Sequence, residues 1–276
     1  MLHKASGYGA DAVIADLEDS VPVDRKAEGR SMTAEFLADA SANTPKYVRV
    51  NAIGTGLLDD DLDAIVGPGL AGIQHPKTDS PDTIIAVDEK LSRLERERGL
   101  EPGSVQVIAS IESVAGVYNC FHILSAAARV GSCVVGIAEN GDLHRDVGYT
   151  HTAGGEESLF IRSKVILDAR HAGITNALDG VFSSIGNMEG YEIETKRARQ
   201  LGYRGKKVIH PKQIEPANRI FMPTDEEIDF HERVLAALDA AEAEGSAATT
   251  VDGLMVDIAM AVNARRVLDW AREVSG

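Results

Sequence analysis

Cysteine is scarce in this sequence, because only Cys120 and Cys133 occur among 276 residues. The two are not spaced as Cys-x-x-Cys, so a disulfide framework is not indicated. Met1 is not followed by the charged, apolar and small-residue segments of a secretion leader. We therefore expect a protein of the reducing cytoplasm.

Basic residues and long apolar runs are also few. The chain has 28 Lys and Arg residues against 43 Asp and Glu residues, a net charge of -15. This balance disfavours nucleic acids and anionic membranes as partners, since both bind clustered Lys and Arg. No apolar run reaches the ~18 residues that span a bilayer. With 44% hydrophobic residues, the composition predicts a soluble globular protein whose partners are small molecules.

Seven short apolar runs alternate with segments of helical pattern along the chain. This alternation predicts an α/β fold with a parallel sheet inside and helices outside, and the length fits one (β/α)8 TIM barrel of ~250 residues. Seven strands are one fewer than a closed barrel contains. The predicted strands are residues 10–17, 46–50, 72–75, 105–113, 133–138, 178–182 and 206–209.

The end of the sequence does not continue the alternation of strands and helices. A polar helix is predicted over residues 225–244, a flexible link over 245–250 and a last helix over 256–273. We therefore predict a barrel domain over residues 1–222 and a helical extension over residues 223–276. The extension is expected to pack on the barrel or on a neighbouring subunit.

Charged side chains follow the predicted strands at several points. A single charge at the start of a loop is usually solvated or caps a helix, but a whole set indicates a site, because parallel barrels carry chemistry on the loops after their strands. Several acids with one Arg and one Lys suit Mg²⁺ and an anionic substrate, and the planar Arg fork suits a carboxylate. The set comprises Asp16, Glu18, Asp19, Arg49, Lys77, Glu112 and Asp142.

An ordered series of short motifs resembles the citrate lyase β-subunit and malyl-CoA lyase family, which are HpcH/HpaI aldolase-type enzymes. The series runs over nearly the whole chain, although each motif is weak alone. The matching segments are residues 9–14, 16–19 (DLED), 48–51 (VRVN), 76–77, 111–113 (IES), 116–117, 141–143 (GDL), 205–211 with Gln213, and 255–257 (MVD). The resemblance implies a metal-dependent carbon-carbon lyase on a (β/α)8 barrel.

The resemblance also implies roles for individual residues. Glu112 and Asp142 resemble the two Mg²⁺ ligands, and Glu112 also lies where substrate binds. Arg49 resembles the residue that grips the substrate carboxylate, with Lys77 beside it. The acidic strand end, Glu18 and Asp19, resembles the part of the catalytic site that supports metal-bound waters and orients Arg49 or Lys77. Asp257 resembles the catalytic acid/base, which in relatives comes from the adjacent subunit of a trimer, so a homotrimer or hexamer is expected.

The sequence departs from the family pattern at three places. A first strand of the type Arg-Ser-x-Leu-Phe-Val-Pro-Gly is missing before the opening helix, which explains the count of seven. Glu139 and Asp142 are separated by two residues, whereas relatives pair these acids directly. Asn187 stands where relatives tend to have Asp.

Three functions are compatible with these residues. The first is cleavage or formation of a 3-hydroxy-acyl-CoA, such as malyl-, citramalyl- or citryl-CoA, with an acyl-CoA and a 2-oxo acid as the other side of the reaction. The second is a pyruvate aldolase acting on 4-hydroxy-2-oxo acids, which needs the same metal but no CoA. The third is a non-catalytic or complex-dependent subunit resembling citrate lyase β.

Overall fold

The computed structural model describes residues 2–41, 43–152 and 154–275. The chain forms two compact units, Met1–Asn218 and Arg219–Gly276. In the described part of the chain, no helix is long and apolar enough to cross a membrane.

The first unit contains a parallel sheet whose strands lie side by side in chain order, from β1 at one edge to β7 at the other. All seven predicted strands are present, and the eighth strand of a closed barrel is not among the described residues. The strands are β1 Val13–Asp16, β2 Lys46–Arg49, β3 Gly72–His75, β4 Gln106–Ile111, β5 Val130–Val135, β6 Leu178–Asp179 and β7 Gly205–Lys206.

Helices follow the strands, as the alternating sequence predicts. The expected helix after β4 is in fact two short ones, separated at Asn119. The helices that lie in or begin in the first unit are α1 Leu2–Ala5, α2 Lys26–Ala38, α3 Leu58–Ile65, α4 Pro81–Arg98, α5 Val114–Tyr118, α6 Cys120–Leu124, α7 Asp142–Val147, α8 Leu159–His171, α9 Met188–Leu201 and α10 Ile214–Phe221.

Strand register brings the functional candidates to one end of the sheet. Asp16 pairs with Arg49 across β1 and β2, and Arg49 pairs with Gln74 across β2 and β3. Paired residues of neighbouring parallel strands point to the same face, so these three side chains share the inner face of the sheet. Val48 and Ile73, which are fully buried, alternate with them and face the surrounding helices.

The second unit is built on two helices and a hairpin that the sequence reading missed. Helices α11 Asp225–Ala243 and α12 Ile258–Ser275 pack together, and strands β8 Ala248–Val251 and β9 Leu254–Asp257 pair antiparallel. The predicted flexible link is therefore wrong. Asp252 and Gly253 both have positive φ, at 51° and 79°, and an Asp-Gly pair at such angles makes the tight turn that suits a two-residue hairpin.

A small apolar core stabilises this second unit. Val234 from α11, Val251 and Val256 from the hairpin, and Ala264 from α12 are buried together. Each of the four elements thus contributes an apolar side chain to one cluster, which explains why the hairpin forms where polar residues suggested a link.

Candidate active site at the carboxyl ends of the strands

Arg49 ends β2 and is fixed by two carboxylates from the end of β1 and the loop after it. Its Nε and Nη2 atoms donate to Asp16 Oδ1 and Oδ2 at 2.7 and 2.6 Å. Its Nη1 atom lies 2.8 Å from Glu18 Oε2. Burial opposes the charge of Asp16, but the hydrogen bonds and charge of Arg49 outweigh it and lower the pKa of Asp16 to about 2. The guanidinium is thus held in one orientation by its bidentate partner.

Lys77 joins the same cluster from the loop after β3. Its ammonium donates to Glu18 Oε1 at 2.7 Å, and lies 3.8 Å from both Asp19 Oδ1 and Asp142 Oδ2. Glu18 therefore bridges Arg49 and Lys77, while the largely exposed Asp19 contributes only longer-range charge. The structure brings together four of the strand-end acids predicted from the sequence with both predicted cations.

Glu112 follows β4 and lies against the backbone of Lys77. Its Oε1 atom accepts a hydrogen bond from Lys77 N at 2.6 Å. Lys77 has a φ of 48°, a left-handed conformation that costs a non-glycine residue energy and often marks a functional site. Burial raises the pKa of Glu112, and the negative charges of Glu18 and Asp142 add to the effect.

Gly136 allows β5 to approach Glu112. Its N–H donates to Ile111 O at 2.8 Å, and a Cβ atom at this position would lie only 2.4 Å from Glu112 Cβ. Any side chain at residue 136 must therefore displace the Glu112 backbone or its carboxylate. The glycine is required by close approach, since its own φ is not positive.

A buried polar network supports the loop that carries Glu18. Lys26 donates through Nζ to the carbonyls of Leu17 and Glu18 at 2.6 and 2.7 Å, and to Asn51 Oδ1 at 2.8 Å. Asn51 in turn donates through its backbone and side chain to Asp61 Oδ2 at 2.8 and 2.6 Å. Each buried polar group has a partner, so the loop after β1 is held rigidly beside the loop after β2.

We refer to Asp16, Glu18, Arg49, Lys77 and Glu112 as the charged bowl. Three polar residues that the sequence analysis did not identify, Gln74, Ser110 and Lys207, are joined by hydrogen bonds on the inner face of the sheet, and we call them the floor of the bowl. Lys207 Nζ donates to Gln74 Oε1 at 2.9 Å, and Gln74 Nε2 donates to Ser110 Oγ at 2.8 Å. Side chains alternate between the two faces of a strand, so Gly205 and Lys207, the residue directly after β7, point to the same face. This pattern could have identified Lys207 from the sequence.

Glu112 lies near enough to Asp142 for the charge of Asp142 to raise its pKa, and both side chains carry the oxygen donors that a divalent cation takes. Within residues 2–41, 43–152 and 154–275, no three His, Cys, Asp or Glu side chains converge to hold a metal unaided. Mg²⁺ does not need them, because one or two carboxylates with waters and substrate oxygens complete its shell. Glu112 has the chemistry of such a donor, since it is half-buried, its pKa is raised, and no cationic side chain of the described residues forms a salt bridge with it.

Asp142 differs from Glu112 because both of its carboxylate oxygens face cationic side chains. It begins α7, where its carboxylate is hydrogen-bonded to Arg145, and its other oxygen faces Lys77. Glu139, the other acid of this loop, lines a cavity of about 190 Å³ beyond the ends of β5 and β6. Phe182, Asn187 and Glu194 line the same cavity.

Asp257 belongs to the second unit, where it ends β9. Its Oδ1 atom accepts hydrogen bonds from the backbone N–H groups of Ala259 and Met260 at 3.0 and 3.2 Å. It therefore caps the N-terminus of α12. The side chain is partly exposed, with exposed apolar neighbours at Met255 and Ile258.

A model of the HpcH/HpaI aldolase/citrate lyase family matches residues 1–211. This chain belongs to that family. Citrate lyase subunit beta of Escherichia coli strain K12 is 36% identical over 270 residues, which cover 98% of this chain and 88% of that one. The mitochondrial citramalyl-CoA lyase of Mus musculus is 28% identical, covering 99% of this chain and 82% of that one. The family resemblance read from the sequence is confirmed.

Solved structures also confirm the α/β barrel-type architecture. CitE from Mycobacterium tuberculosis, in complex with magnesium, acetoacetate and coenzyme A, matches with a TM-score of 0.77 and 28% identity. The match covers 98% of this chain and 92% of that one. The relatives with named activities are carbon-carbon lyases, and those of the citrate, citramalyl-CoA and malyl-CoA types occur among them.

Proposed function

We propose that this protein is a Mg²⁺-dependent carbon-carbon lyase that cleaves or forms a 3-hydroxy-acyl-CoA. The acyl-CoA and a 2-oxo acid are the two products of cleavage. The observation that carries the proposal is Glu112, a half-buried carboxylate without a cationic side-chain partner among the described residues, set beside a fixed Arg49. A divalent ion and an anionic substrate would neutralise this arrangement together.

Glu112 and Asp142 are the proposed ligands of Mg²⁺. When bound there, the ion would polarise the oxygens of the 2-oxo acid portion and stabilise negative charge on them. Lys77 N, which donates to Glu112 Oε1 at 2.6 Å, fixes one oxygen of this carboxylate and leaves the other for the ion. Glu18 and Asp19 would accept hydrogen bonds from water molecules at the acidic edge.

Arg49 is the proposed partner of the substrate carboxylate. Asp16 holds its guanidinium through two hydrogen bonds, so little orientation entropy is lost when substrate binds. Lys77 adds positive charge to the same side of the bowl through its exposed ammonium. Together they would orient the 2-oxo acid with its carbonyl carbon, which bears the hydroxyl in the thioester substrate, toward Glu112.

Asp257 is the proposed acid/base, supplied by the neighbouring chain of a homotrimer or hexamer. In cleavage, the substrate hydroxyl would give its proton to a water molecule hydrogen-bonded to Glu18 or Asp19, and its oxygen would become the carbonyl of the 2-oxo acid. The electron pair of the broken carbon-carbon bond would pass to the carbon next to the thioester. Asp257 gives a proton to that carbon, and in condensation it removes the proton again. The cavity lined by Glu139 and Phe182 would accept the acyl portion.

The test is a panel of condensation and cleavage assays on the purified full-length protein. Acetyl-CoA and propionyl-CoA are offered with glyoxylate, pyruvate or oxaloacetate in the presence of Mg²⁺, and product thioesters are measured by mass spectrometry. We expect turnover of at least one pair and none after chelation of the metal. Failure with every pair, while Mg²⁺ binds, would reject the thioester reaction.

The subunit names of several relatives favour a second candidate. Citrate lyase subunit beta is by name part of a larger enzyme. In this second candidate, the chain is active only as a subunit of such a complex. The isolated chain would then bind Mg²⁺ but turn over no free CoA thioester. The same panel, extended to free 4-hydroxy-2-oxo acids, separates both candidates from a pyruvate aldolase, which would release pyruvate without CoA.

A further inference from the structure

Lys207 places a third cation on the inner face of the sheet, below the charged bowl. Its backbone N–H donates to Asp179 O at 3.0 Å, which continues the pairing of β7 with β6. Its ammonium donates to Gln74 Oε1 at 2.9 Å. Gln74 pairs with Arg49 across β2 and β3. The Lys207 ammonium is therefore bonded to a side chain that is the neighbour of Arg49.

Lys207 differs from the other two cations in having no carboxylate partner. Arg49 is paired with Asp16 and Glu18, and Lys77 with Glu18. Across the described ranges, no Asp or Glu oxygen forms a salt bridge with Lys207, whose one bonded partner is an amide oxygen. An ammonium has three donors, so two remain for a ligand.

The surroundings of Lys207 favour an added anion. Burial and, to a smaller extent, the positive charge of Arg49 lower the pKa of Lys207, which comes to about 8. Asp16, Glu112 and Glu18 act in the opposite direction from a distance. The ammonium is therefore still charged at neutral pH, half-buried, and next to a like charge. A carboxylate that reached it would remove this unfavourable electrostatic energy.

We propose that Lys207 binds a second carboxylate of the 2-oxo acid, so that the enzyme selects dicarboxylic over monocarboxylic 2-oxo acids. This rests on the proposed function, in which Arg49 takes the first carboxylate. Two cations then face the bowl from β2 and β7, and Gln74 lies between them. A monocarboxylic acid would leave Lys207 without a counter-charge, whereas a dicarboxylic acid such as oxaloacetate satisfies both.

The experiment compares oxaloacetate with pyruvate in the condensing direction, using the full-length protein with Mg²⁺ and acetyl-CoA. We expect the unmodified protein to prefer oxaloacetate. Lys207→Met should lower kcat/KM for oxaloacetate by about 10- to 100-fold, the value of one charge-assisted hydrogen bond. The loss should fall mainly on KM, while pyruvate changes by less than about 3-fold and Lys207→Arg keeps part of the preference.

Lys196→Met, which removes an exposed lysine from α9, is the matched control and should leave both substrates unchanged. Equal losses on oxaloacetate and pyruvate would overturn the inference, because they would show that Lys207 only braces the floor through Gln74. An unchanged preference in Lys207→Met would overturn it as well.

Calorimetric binding of the two acids separates this inference from the proposed function. If the unmodified protein forms no thioester product, the reaction assignment fails, but titration with oxaloacetate and pyruvate in Mg²⁺ still tests Lys207. Tighter binding of oxaloacetate that Lys207→Met abolishes supports the inference. Equal affinity for the two acids rejects it, whatever the activity. Thermal unfolding of each variant excludes misfolding as the cause.

Discussion

Two charged clusters lie at opposite ends of the parallel sheet, and they differ in whether each charge has a fixed partner. At the amino ends of β4 and β5, Glu95 accepts from Arg129 Nη1 and Nη2 at 2.8 and 3.0 Å. It also accepts from Gly103 N and Val105 N, both at 2.9 Å. Arg129 further bonds Asp88. Burial opposes the charge of Glu95, but these bonds outweigh it and lower its pKa.

The charged bowl and its floor, at the carboxyl ends of the strands, contain charged groups that have no oppositely charged partner. Glu112 has a raised pKa and a single backbone donor, and Lys207 has a single amide acceptor. A saturated buried network stabilises one conformation, whereas unmatched buried charges cost free energy until a ligand supplies the partner. We therefore propose that the Glu95 cluster stabilises the fold and that the bowl binds ligands, the division expected for the two ends of such a barrel.

The largest effect should follow substitution in the bowl. Glu112→Gln removes a proposed metal ligand and should lower kcat of the lyase reaction by ~10²–10³-fold, as loss of one preorganised electrostatic group does. The melting temperature should stay the same or rise, because a half-buried charge without a cationic partner is lost. Steady-state kinetics and calorimetry measure both, with the exposed Glu101→Gln as control. A lower melting temperature would place Glu112 among the structural charges.

The Glu95 cluster should respond in the opposite way. Glu95→Gln leaves Arg129 buried without its counter-charge, so we expect the free energy of unfolding to fall by ~3–5 kcal/mol. The folded fraction should keep its kcat. Denaturant titration measures the loss, and Glu97→Gln, an exposed acid on the same helix, is the control. If Glu95→Gln lowered kcat but left stability normal, the Glu95 cluster would not have the purely stabilising role that we propose.

Gly136→Ala tests the position of Glu112 without changing any charge. The added Cβ would lie 2.4 Å from Glu112 Cβ, so the carboxylate must shift. A shift of this kind should reduce kcat by ~10–100-fold. Gly67→Ala, where a Cβ meets nothing within 4 Å, should be neutral. Full activity of Gly136→Ala would mean that the placement of Glu112 tolerates movement.

The smallest effect concerns the pH dependence of stability. The pKa of Asp16 is lowered to about 2, so its pairing with Arg49 stabilises the fold above the ordinary Asp pKa and is lost as pH falls through about 2. Asp16→Asn should remove ~1–2 kcal/mol of stability at pH 5 and less at pH 2. Urea unfolding at both values measures the difference. If the loss of stability were the same at pH 5 and pH 2, folding would not lower the pKa of Asp16.

The sequence predicted the ends of the first four strands to within two residues, whereas β5, β6 and β7 each end three residues earlier than predicted. It did not predict the contacts on the inner face of the sheet. Glu112, Arg49 and Lys77 could be found because apolar runs stop at charges, and parallel strands end at one edge of the sheet. Lys207 and Gln74 were missed because which inner-face residues touch depends on the curl of the sheet and on register. Neither can be read from one strand at a time.

The second unit shows a different limit. The sequence analysis did not use the Asp252-Gly253 pair as a hairpin signal, and it assigned residues 245–250, which end in two alanines and two threonines, to a flexible link. The hairpin becomes stable only because Val251 and Val256 pack against Val234 and Ala264. Such packing is a tertiary effect that outweighs local composition.

The most direct test of the unmatched bowl is calorimetric titration of the protein with Mg²⁺. We expect one ion to bind per chain, binding to raise the melting temperature, and Glu112→Gln to abolish both effects while Glu95→Gln retains ion binding. If Mg²⁺ does not bind, or if it binds equally well after Glu112→Gln, the bowl is not the metal site and the proposed division between the two ends of the sheet is wrong.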